Sequence, residues 1–169
     1  VGFWNIGRSA ISAQEFDRFT DSLSHRGPDG RGTHLDKSSG IQFGHRRLAV
    51  LDLSATGSQP MSYGDSRYWI VHNGEIYNFV ELQEELQGLG HVFRSSSDTE
   101  VILAAYAQWG VDCQLRLNGM WAFAIWDKEE QKLFLSRDRY GVKPLFYMID
   151  ERSFSFASEL KAFMTLPHR

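Results

Sequence analysis

Three short stretches of the sequence contain residue types that can recognise an α-amino acid. Arg47 offers a planar guanidinium, whose paired N–H groups match the geometry of a carboxylate. Asn73-Gly74 offers a side-chain amide and a backbone N–H that can converge on one oxygen, as in an oxyanion hole. Glu75 and Asp98 offer two negative charges for an ammonium group. Together these groups suit the carboxylate, the amine and a side-chain carbonyl of one amino acid.

Each of these residues also has an ordinary structural explanation. Arg47 suits a surface or ion-paired position at the end of a strand, because most arginines are exposed. Asn73-Gly74 is typical of a type I′ hairpin turn. Asp98 follows Ser97, a predicted helix N-cap, and the helix dipole favours an acid there without any ligand. Spacing along the chain leaves both explanations open for all three stretches.

Apolar periodicity predicts the helices that must position these residues. Helices are expected over residues 13–24, over residues 78–89 and from Ser97 to Gly110, with a short helix from Ser158 near the end of the chain. Two of them begin with the Ser and Glu spacing of a capping box, at Ser12 with Glu15 and at Ser97 with Glu100.

Most of the remaining chain is predicted to be β-structure. The predicted strands cover residues 2–5, 40–51, 68–71, 121–126, 132–136, 145–149 and 153–157. The strand over residues 68–71 is expected to end at the Asn73-Gly74 turn, and residues 27–32 and 54–66 are expected to be irregular. Two blocks of strands around a helical pair predict an α+β domain with antiparallel sheets.

Composition excludes several classes of function. The 169 residues suit one domain with one substantial core, and the net charge of −3 leaves no basic surplus for nucleic acid. The longest apolar run, Met120 to Trp126, is too short to span a membrane. The six histidines lack metal-ligand spacing, so no metal is expected. A single cysteine, Cys113, excludes an internal disulfide and suits a cytoplasmic location.

Eight motifs, which run nearly from one end of the chain to the other, carry a family resemblance. They cover residues 24–30, 44–52, 59–61, 73–78, 97–100, 117–124, 137–145 and 157–161. In this order they resemble the class II glutamine amidotransferases, and specifically the N-terminal domain of glutamine-dependent asparagine synthetases. The resemblance implies an N-terminal-nucleophile hydrolase fold, a four-layer αββα sandwich with antiparallel sheets, over residues 1–169.

The resemblance also implies a reaction and a role for each candidate residue. The domain would hydrolyse glutamine to glutamate and ammonia. Arg47 would bind the α-carboxylate, and backbone groups near Val50 and Leu51 would line the pocket. The oxyanion hole and the ammonium site would be formed by Asn73 with Gly74 and by Glu75 with Asp98, respectively.

The nucleophile of the family does not occur in this sequence. The family begins its mature chain with Cys-Gly-Ile, and Val1-Gly2-Phe3 resembles the three residues after that triplet, so the cysteine is expected three residues before Val1. Cys113 lies where the family has no catalytic residue and is expected to be a buried thiol. Either the first residues are missing from the sequence or the natural protein lacks them, as in β-lactam synthetases. The complete glutamine pocket favours the first explanation, and a non-catalytic scaffold domain is the alternative.

Partners and cofactors are expected from the resemblance alone. An ATP-dependent synthetase domain would follow the chain and use the ammonia, with aspartate as the default acceptor and a sugar acid or a peptide ring as alternatives. ATP and Mg²⁺ are expected only in that domain, because the sequence contains no Ser-Gly-Gly-x-Asp-Ser nucleotide loop. A homodimer is left open.

Two basic motifs have structural explanations of their own. Arg26 either supports the nucleophile end of the pocket or makes structural hydrogen bonds. Arg137-Asp138-Arg139 is predicted to form ion pairs at the end of a strand.

Overall fold

The chain folds into two compact units, each with one antiparallel sheet. The structure is a computed structural model that describes residues 1–6, 11–48 and 57–166. The first unit contains Val1–Ala49 and Pro144–Arg169, and the second contains Val50–Lys143. Within the described residues, no helix has both the length and the apolar character needed to cross a membrane. The predicted α+β class with antiparallel sheets is confirmed.

The described chain contains nine β-strands and four α-helices. In order they are β1 (Gly2–Asn5), α1 (Ala13–Asp21), β2 (Gly30–Asp36), β3 (Ile41–Arg47), β4 (Met61–Tyr63), β5 (Tyr68–Ile76), α2 (Phe79–Gly88), α3 (Asp98–Trp109), β6 (Gly119–Asp127), β7 (Lys132–Arg137), β8 (Phe146–Ile149), β9 (Ser153–Ala157) and α4 (Leu160–Phe163). The helices predicted over residues 13–24, 78–89 and 97–110 are confirmed as α1, α2 and α3, with α1 ending earlier than expected.

The first unit is a five-stranded sheet covered by α1 and α4. Its strand order is β2-β3-β1-β9-β8. The predicted capping box starts α1, because the Ser12 hydroxyl accepts from the Glu15 N–H and the Glu15 carboxylate accepts from the Ser12 N–H. Phe16 and Phe19 on α1 then pack with Phe3 of β1 in a buried apolar cluster. Burial of these aromatic side chains supplies the main driving force for docking the helix.

The second unit is a four-stranded sheet with α2 and α3 on one face. Its strand order is β4-β5-β6-β7, and β6 is buried on both faces, as its apolar run predicts. Ile70 and Ile76 of β5 join the core that contains Leu86 of α2 and Ile102 of α3. Since strand residues alternate between faces, the odd-numbered residues of β5 lie on the face opposite the helices. We call these the helix face and the opposite face of the second sheet.

Two strands lie where the sequence predicts irregular structure, since β4 falls within residues 54–66 and β2 overlaps residues 27–32. Residues 27–32 were expected to be irregular, but β2 begins at Gly30 and pairs with β3 over seven positions, from Gly30 with Arg47 to Asp36 with Ile41. The glycines and polar residues of β2 give a weak local strand signal. Pairing with the more apolar β3 supplies the stability that local propensity does not.

The motifs around Arg26 and Glu159 meet within the first unit. Glu159 accepts hydrogen bonds from His25 at 3.0 Å and from Arg26 at 3.1 Å, and it forms an ion pair with Lys161 at 3.1 Å. Burial alone would raise the pKa of Glu159, but its partners His25, Lys161 and Arg26 hold the pKa at about 2. The contact with Glu159 is of the structural kind predicted for Arg26, and its support of the nucleophile end of the pocket stays a prediction.

Arg137 and Asp138 close the loop after β7 by bonding the backbone, so the ion pairs predicted for them are wrong. The Arg137 guanidinium donates to the carbonyls of Gly141 and Lys143. The buried Asp138 carboxylate accepts from four backbone N–H groups, those of Trp121, Tyr140, Val142 and Lys143. The backbone N–H and C=O groups of this loop bond to the two side chains because the loop forms no helix or strand that would pair them.

We expect Asp138→Asn to lower the free energy of unfolding by about 2–4 kcal/mol at pH 7, because the amide cannot accept from all four N–H groups. Burial raises the pKa of Asp138, but the N–H donors outweigh it and hold the pKa below its usual range. The stabilisation is therefore complete above the unfolded pKa and is lost as the pH falls through the folded pKa. Urea unfolding at pH 7 and at pH 3 checks both statements. Asp112→Asn, at an exposed position, is the control; equal losses in the two variants would contradict the assignment.

Candidate active site

Strand β5 carries three of the candidate residues, Asn73, Gly74 and Glu75. The hairpin turn predicted at Asn73-Gly74 is wrong, because β5 continues to Ile76 and pairs Asn73 with Ala122 and Gly74 with Trp121 of β6. A nine-residue register with a buried strand outweighs the local turn preference. Glycine is needed at position 74 because a Cβ there would clash with the Met120 backbone oxygen.

The outer edge of β5 is open at these residues. Strand β4 pairs with β5 only from Tyr68 to Ile70, so no strand of the described chain lies beyond the residues that follow. Trp121, opposite Gly74, directs its own N–H and C=O towards Asp138 after β7. Opposite residues of an antiparallel pair either hydrogen-bond to each other or both point away from each other. Since Trp121 points away from β5, the Gly74 N–H points away from β6. It therefore faces the open edge.

Two side chains bond to this edge on either side of Gly74. The His72 N–H donates to Gln59 Oε1 at 2.6 Å, and the Ile76 N–H donates to Asp98 Oδ2 at 2.9 Å. The Gly74 N–H lies between them and has no acceptor among the described residues. It is a positioned backbone donor that is available to a ligand.

Asn73 provides a second available donor next to the first. Its Nδ2 is buried and makes no hydrogen bond within the described part of the chain. A buried amide N–H₂ without a partner costs free energy, so this group is well suited to a polar ligand. Asn73 and Glu75 lie on the opposite face of the second sheet, two positions apart. The half-buried Glu75 makes no ion pair with any described residue.

Asp98 begins helix α3 beside the end of β5. Ser97 is the N-cap, as predicted, and its hydroxyl accepts from the Thr99 N–H. The predicted capping box does not form, because the Glu100 carboxylate accepts from N–H groups of the preceding loop and not from the Ser97 N–H. Asp98 is only 6% exposed, and its bond to the Ile76 N–H brings it close to the strand that carries Glu75.

Arg47 belongs to the first unit, whereas Asn73, Gly74, Glu75 and Asp98 belong to the second. It is the last residue of β3, is half-buried and lies opposite Gly30 of β2. Its carbonyl accepts from the Asp29 N–H at 2.9 Å, which fixes the backbone at this strand end. Val50 and Leu51, also predicted to line the pocket, lie outside the described residues.

Cys113 has the environment of a structural thiol. It is fully buried in the turn that follows α3, and burial raises its pKa to about 12. Because the thiolate is the nucleophilic form, this side chain is unreactive at neutral pH. The predicted role of a plain buried thiol is confirmed.

We therefore expect no alkylation of Cys113 by iodoacetamide in the native chain at pH 8, and complete alkylation after unfolding in guanidinium. Intact-protein mass spectrometry distinguishes the two states. Rapid modification of the native protein would contradict the burial of this thiol.

Sequence reasoning missed three residues that surround this site: Gln59, His72 and Thr99. Gln59 and Thr99 occur within recognised motifs, but nothing in the sequence indicated that their side chains meet. His72 had no signal of its own, since a lone histidine in a strand is usually a core residue. In the described ranges, no three potential metal-ligating side chains come together.

Comparison with known proteins identifies the family of the chain. The model of the glutamine amidotransferase domain family matches residues 1–169. Asparagine synthetase 3 (glutamine-hydrolyzing) of Bacillus subtilis is 47% identical over 156 residues, which are 91% of this chain and 25% of that protein. Asparagine synthetase 1 of the same organism is 42% identical over 97% of this chain and 26% of its own length. The chain thus spans about a quarter of the length of these relatives.

A solved structure supports the fold independently. Glutamine phosphoribosylpyrophosphate amidotransferase from B. subtilis superimposes with a TM-score of 0.80 over 97% of this chain and 42% of that chain, at 23% identity. This likeness confirms the predicted N-terminal-nucleophile hydrolase fold class. Since the family model covers every residue of the sequence, the chain belongs to the glutamine amidotransferase domain family.

Proposed function

We propose that this domain hydrolyses the side-chain amide of glutamine, releasing glutamate and ammonia. One observation carries the proposal: Asn73 Nδ2 and the Gly74 N–H are neighbouring donors, and neither has a partner among the described residues. An amide carbonyl becomes negatively charged when a nucleophile attacks it. Two fixed donors aimed at that oxygen stabilise the charge more strongly than water does.

The remaining candidate residues suit the two ends of glutamine. Glu75 and Asp98 give two carboxylates near the end of β5, which favours an α-ammonium group. Arg47 supplies the guanidinium for the α-carboxylate. Family membership supports these roles, together with the contribution of Val50 and Leu51 to the pocket wall.

The register of the first sheet supports the position of the nucleophile. Gly2 pairs with Phe43 and Phe3 with Gln42, and the Val1 amino group donates to the Gly44 carbonyl at 2.9 Å. If the same antiparallel register continues, a cysteine three residues before Val1 lies opposite Arg47. Its α-amine would take the thiol proton, and the thiolate would attack the glutamine carbonyl. The amide C–N bond would break, ammonia would leave with that proton, and water would hydrolyse the resulting thioester to glutamate.

The use of the ammonia is part of the proposal and rests on the relatives. Their names describe glutamine-hydrolyzing asparagine synthetases, and this chain spans about a quarter of their length. We therefore propose an ATP-dependent synthetase domain as the partner, with ATP and Mg²⁺ bound there and aspartate as the acceptor. A cytoplasmic location and a homodimer are compatible with this proposal.

Titration of the 169-residue chain with L-glutamine tests the recognition half of the proposal. We expect weak binding by calorimetry, with shifts of the Gly74 amide and the Asn73 side-chain amide in ¹⁵N NMR spectra. D-Glutamine is the control, because its reversed stereochemistry cannot offer the α-carboxylate, the α-ammonium and the side-chain carbonyl to their partners at the same time. Absence of L-glutamine binding would favour the alternative of a non-catalytic scaffold domain.

A further inference from the structure

The two side chains that flank the Gly74 N–H are joined by a single hydroxyl group. Gln59 uses Oε1 for the His72 N–H and Nε2 for Thr99 Oγ1, at 3.3 Å. Asp98 uses Oδ2 for the Ile76 N–H and Oδ1 for the same Thr99 Oγ1, at 3.4 Å. The hydroxyl of Thr99 is therefore the common contact of both groups that hold the open edge of β5.

His72 completes the set from the helix face of the second sheet. Its Nδ1 lies 3.2 Å from Thr99 Oγ1, and its backbone N–H is the one held by Gln59. Burial lowers the pKa of His72 below its usual range, although the charge of Asp98 opposes the effect, so the imidazole is neutral at neutral pH. The three side chains around the hydroxyl are thus an amide, a neutral imidazole and a carboxylate.

Hydrogen-bond valence fixes the direction of each contact. A carboxylate only accepts, so the Thr99 hydroxyl donates its one proton to Asp98. The Gln59 amide nitrogen only donates, so the hydroxyl oxygen accepts from it. Since the hydroxyl proton is already used, His72 Nδ1 must carry the proton that it shares with Thr99. Each of the three contacts of the hydroxyl then has one donor and one acceptor, and Thr99 is 2% exposed.

We propose that Thr99 is a positioning residue for the oxyanion hole, which fixes Gln59 and Asp98 and thereby sets the direction of the Gly74 N–H between them. This inference rests on the proposed function. Strand β4 begins at Met61, opposite Ile70, so no strand among the described residues pairs with this edge of β5 from His72 to Ile76. The two side-chain acceptors take the place of a strand at His72 and Ile76, and the Gly74 N–H between them has no acceptor in the described part of the chain. The same hydroxyl orients Asp98, the acid proposed for the substrate ammonium.

Thr99→Val tests the proposal because valine keeps the shape of threonine and removes only the hydroxyl. In the full-length protein carrying the cysteine, we expect kcat for glutamine hydrolysis to fall about 10- to 100-fold as the oxyanion donor loses its alignment. We expect KM for glutamine to rise as Asp98 loses its orientation. Thr99→Ser should recover most of both constants.

Two readouts separate this positioning role from simple destabilisation. Partial unfolding lowers apparent kcat but does not change KM, so a change in both constants favours positioning. Thr20→Val is the matched control, because Thr20 is 1% exposed and its hydroxyl donates to the Phe16 carbonyl within α1. That variant should lose stability and keep its KM. Values of kcat and KM for Thr99→Val within twofold of the wild type would overturn the proposal.

A third readout does not depend on activity. Thr99→Val should shift the Gly74 amide resonance and speed its hydrogen exchange, whereas Thr20→Val should not. If the wild type hydrolyses no glutamine, the proposed function fails, and an unchanged Gly74 amide in Thr99→Val would then overturn the positioning role separately. If Thr99→Val does not fold, Gln59→Met removes one flanking acceptor and leaves the hydroxyl, and the same Gly74 shift is expected.

Discussion

Asn73→Ala is expected to lower kcat for glutamine hydrolysis by about 100- to 1,000-fold in the cysteine-bearing protein, with little change in KM. The side-chain amide stabilises charge that exists only in the transition state, so its loss weakens the binding of ground-state glutamine only slightly. Nδ2 has no partner within the described residues, and its removal leaves no protein acceptor unsatisfied there. Stability should therefore remain close to that of the wild type. Steady-state kinetics and thermal unfolding measure the two effects.

Asn78→Ala provides a control with the opposite expectation. The Asn78 side chain donates to the Arg116 carbonyl and accepts from the Asn118 N–H, so its amide is structural. This variant should lose stability and keep kcat within a few-fold of the wild type. If the two asparagine variants lost kcat equally, the assignment of the oxyanion hole to Asn73 would be wrong.

Arg47→Ala has the second largest expected effect, a loss of about 2–4 kcal/mol in glutamine binding with the fold intact. Removal of the guanidinium leaves the substrate carboxylate without its counter-charge, so KM rises and kcat changes less. The glutamine affinity of Arg47→Lys should fall between those of the wild type and Arg47→Ala, because an ammonium keeps the charge and loses the paired N–H geometry. Calorimetry with L-glutamine and steady-state kinetics provide the measurement.

The neighbouring arginine distinguishes this role from a structural one. Arg46 donates to the Gly27 carbonyl and forms an ion pair with Asp21, both within the first unit. Arg46→Ala should therefore reduce stability and leave the affinity for glutamine unchanged. Unchanged glutamine affinity in Arg47→Ala would refute the carboxylate role.

Local patterns predicted the parts of the fold that depend on local interactions. Helices α1, α2 and α3 and the strands β6 and β7 follow from apolar periodicity, caps and a buried apolar run. Strand β2 and the continuation of β5 through Asn73-Gly74 did not, because pairing with β3 and β6 stabilises them. A one-dimensional pattern contains no information on which distant strand will be the neighbour.

The candidate site, like the fold, was predicted from the sequence only in part. Motif resemblance identified Arg47, Asn73, Gly74, Glu75 and Asp98 by residue type. It could not show that β4 pairs with β5 only as far as Ile70, which leaves the Gly74 N–H without a neighbouring strand among the described residues, since this depends on the length of β4. The contacts of the Thr99 hydroxyl with Gln59 and His72 were equally hidden, because they join residues 40 and 27 positions apart in sequence.

The central claim is glutamine hydrolysis by a cysteine that works with the donors of β5. The most direct measurement is glutamate and ammonia release by the full-length protein with Cys-Gly-Ile before Val1, compared with the same protein in which that cysteine is alanine. We predict equimolar glutamate and ammonia from the first protein and none from the second. No release from the cysteine-bearing protein, or equal release from both, would contradict the claim.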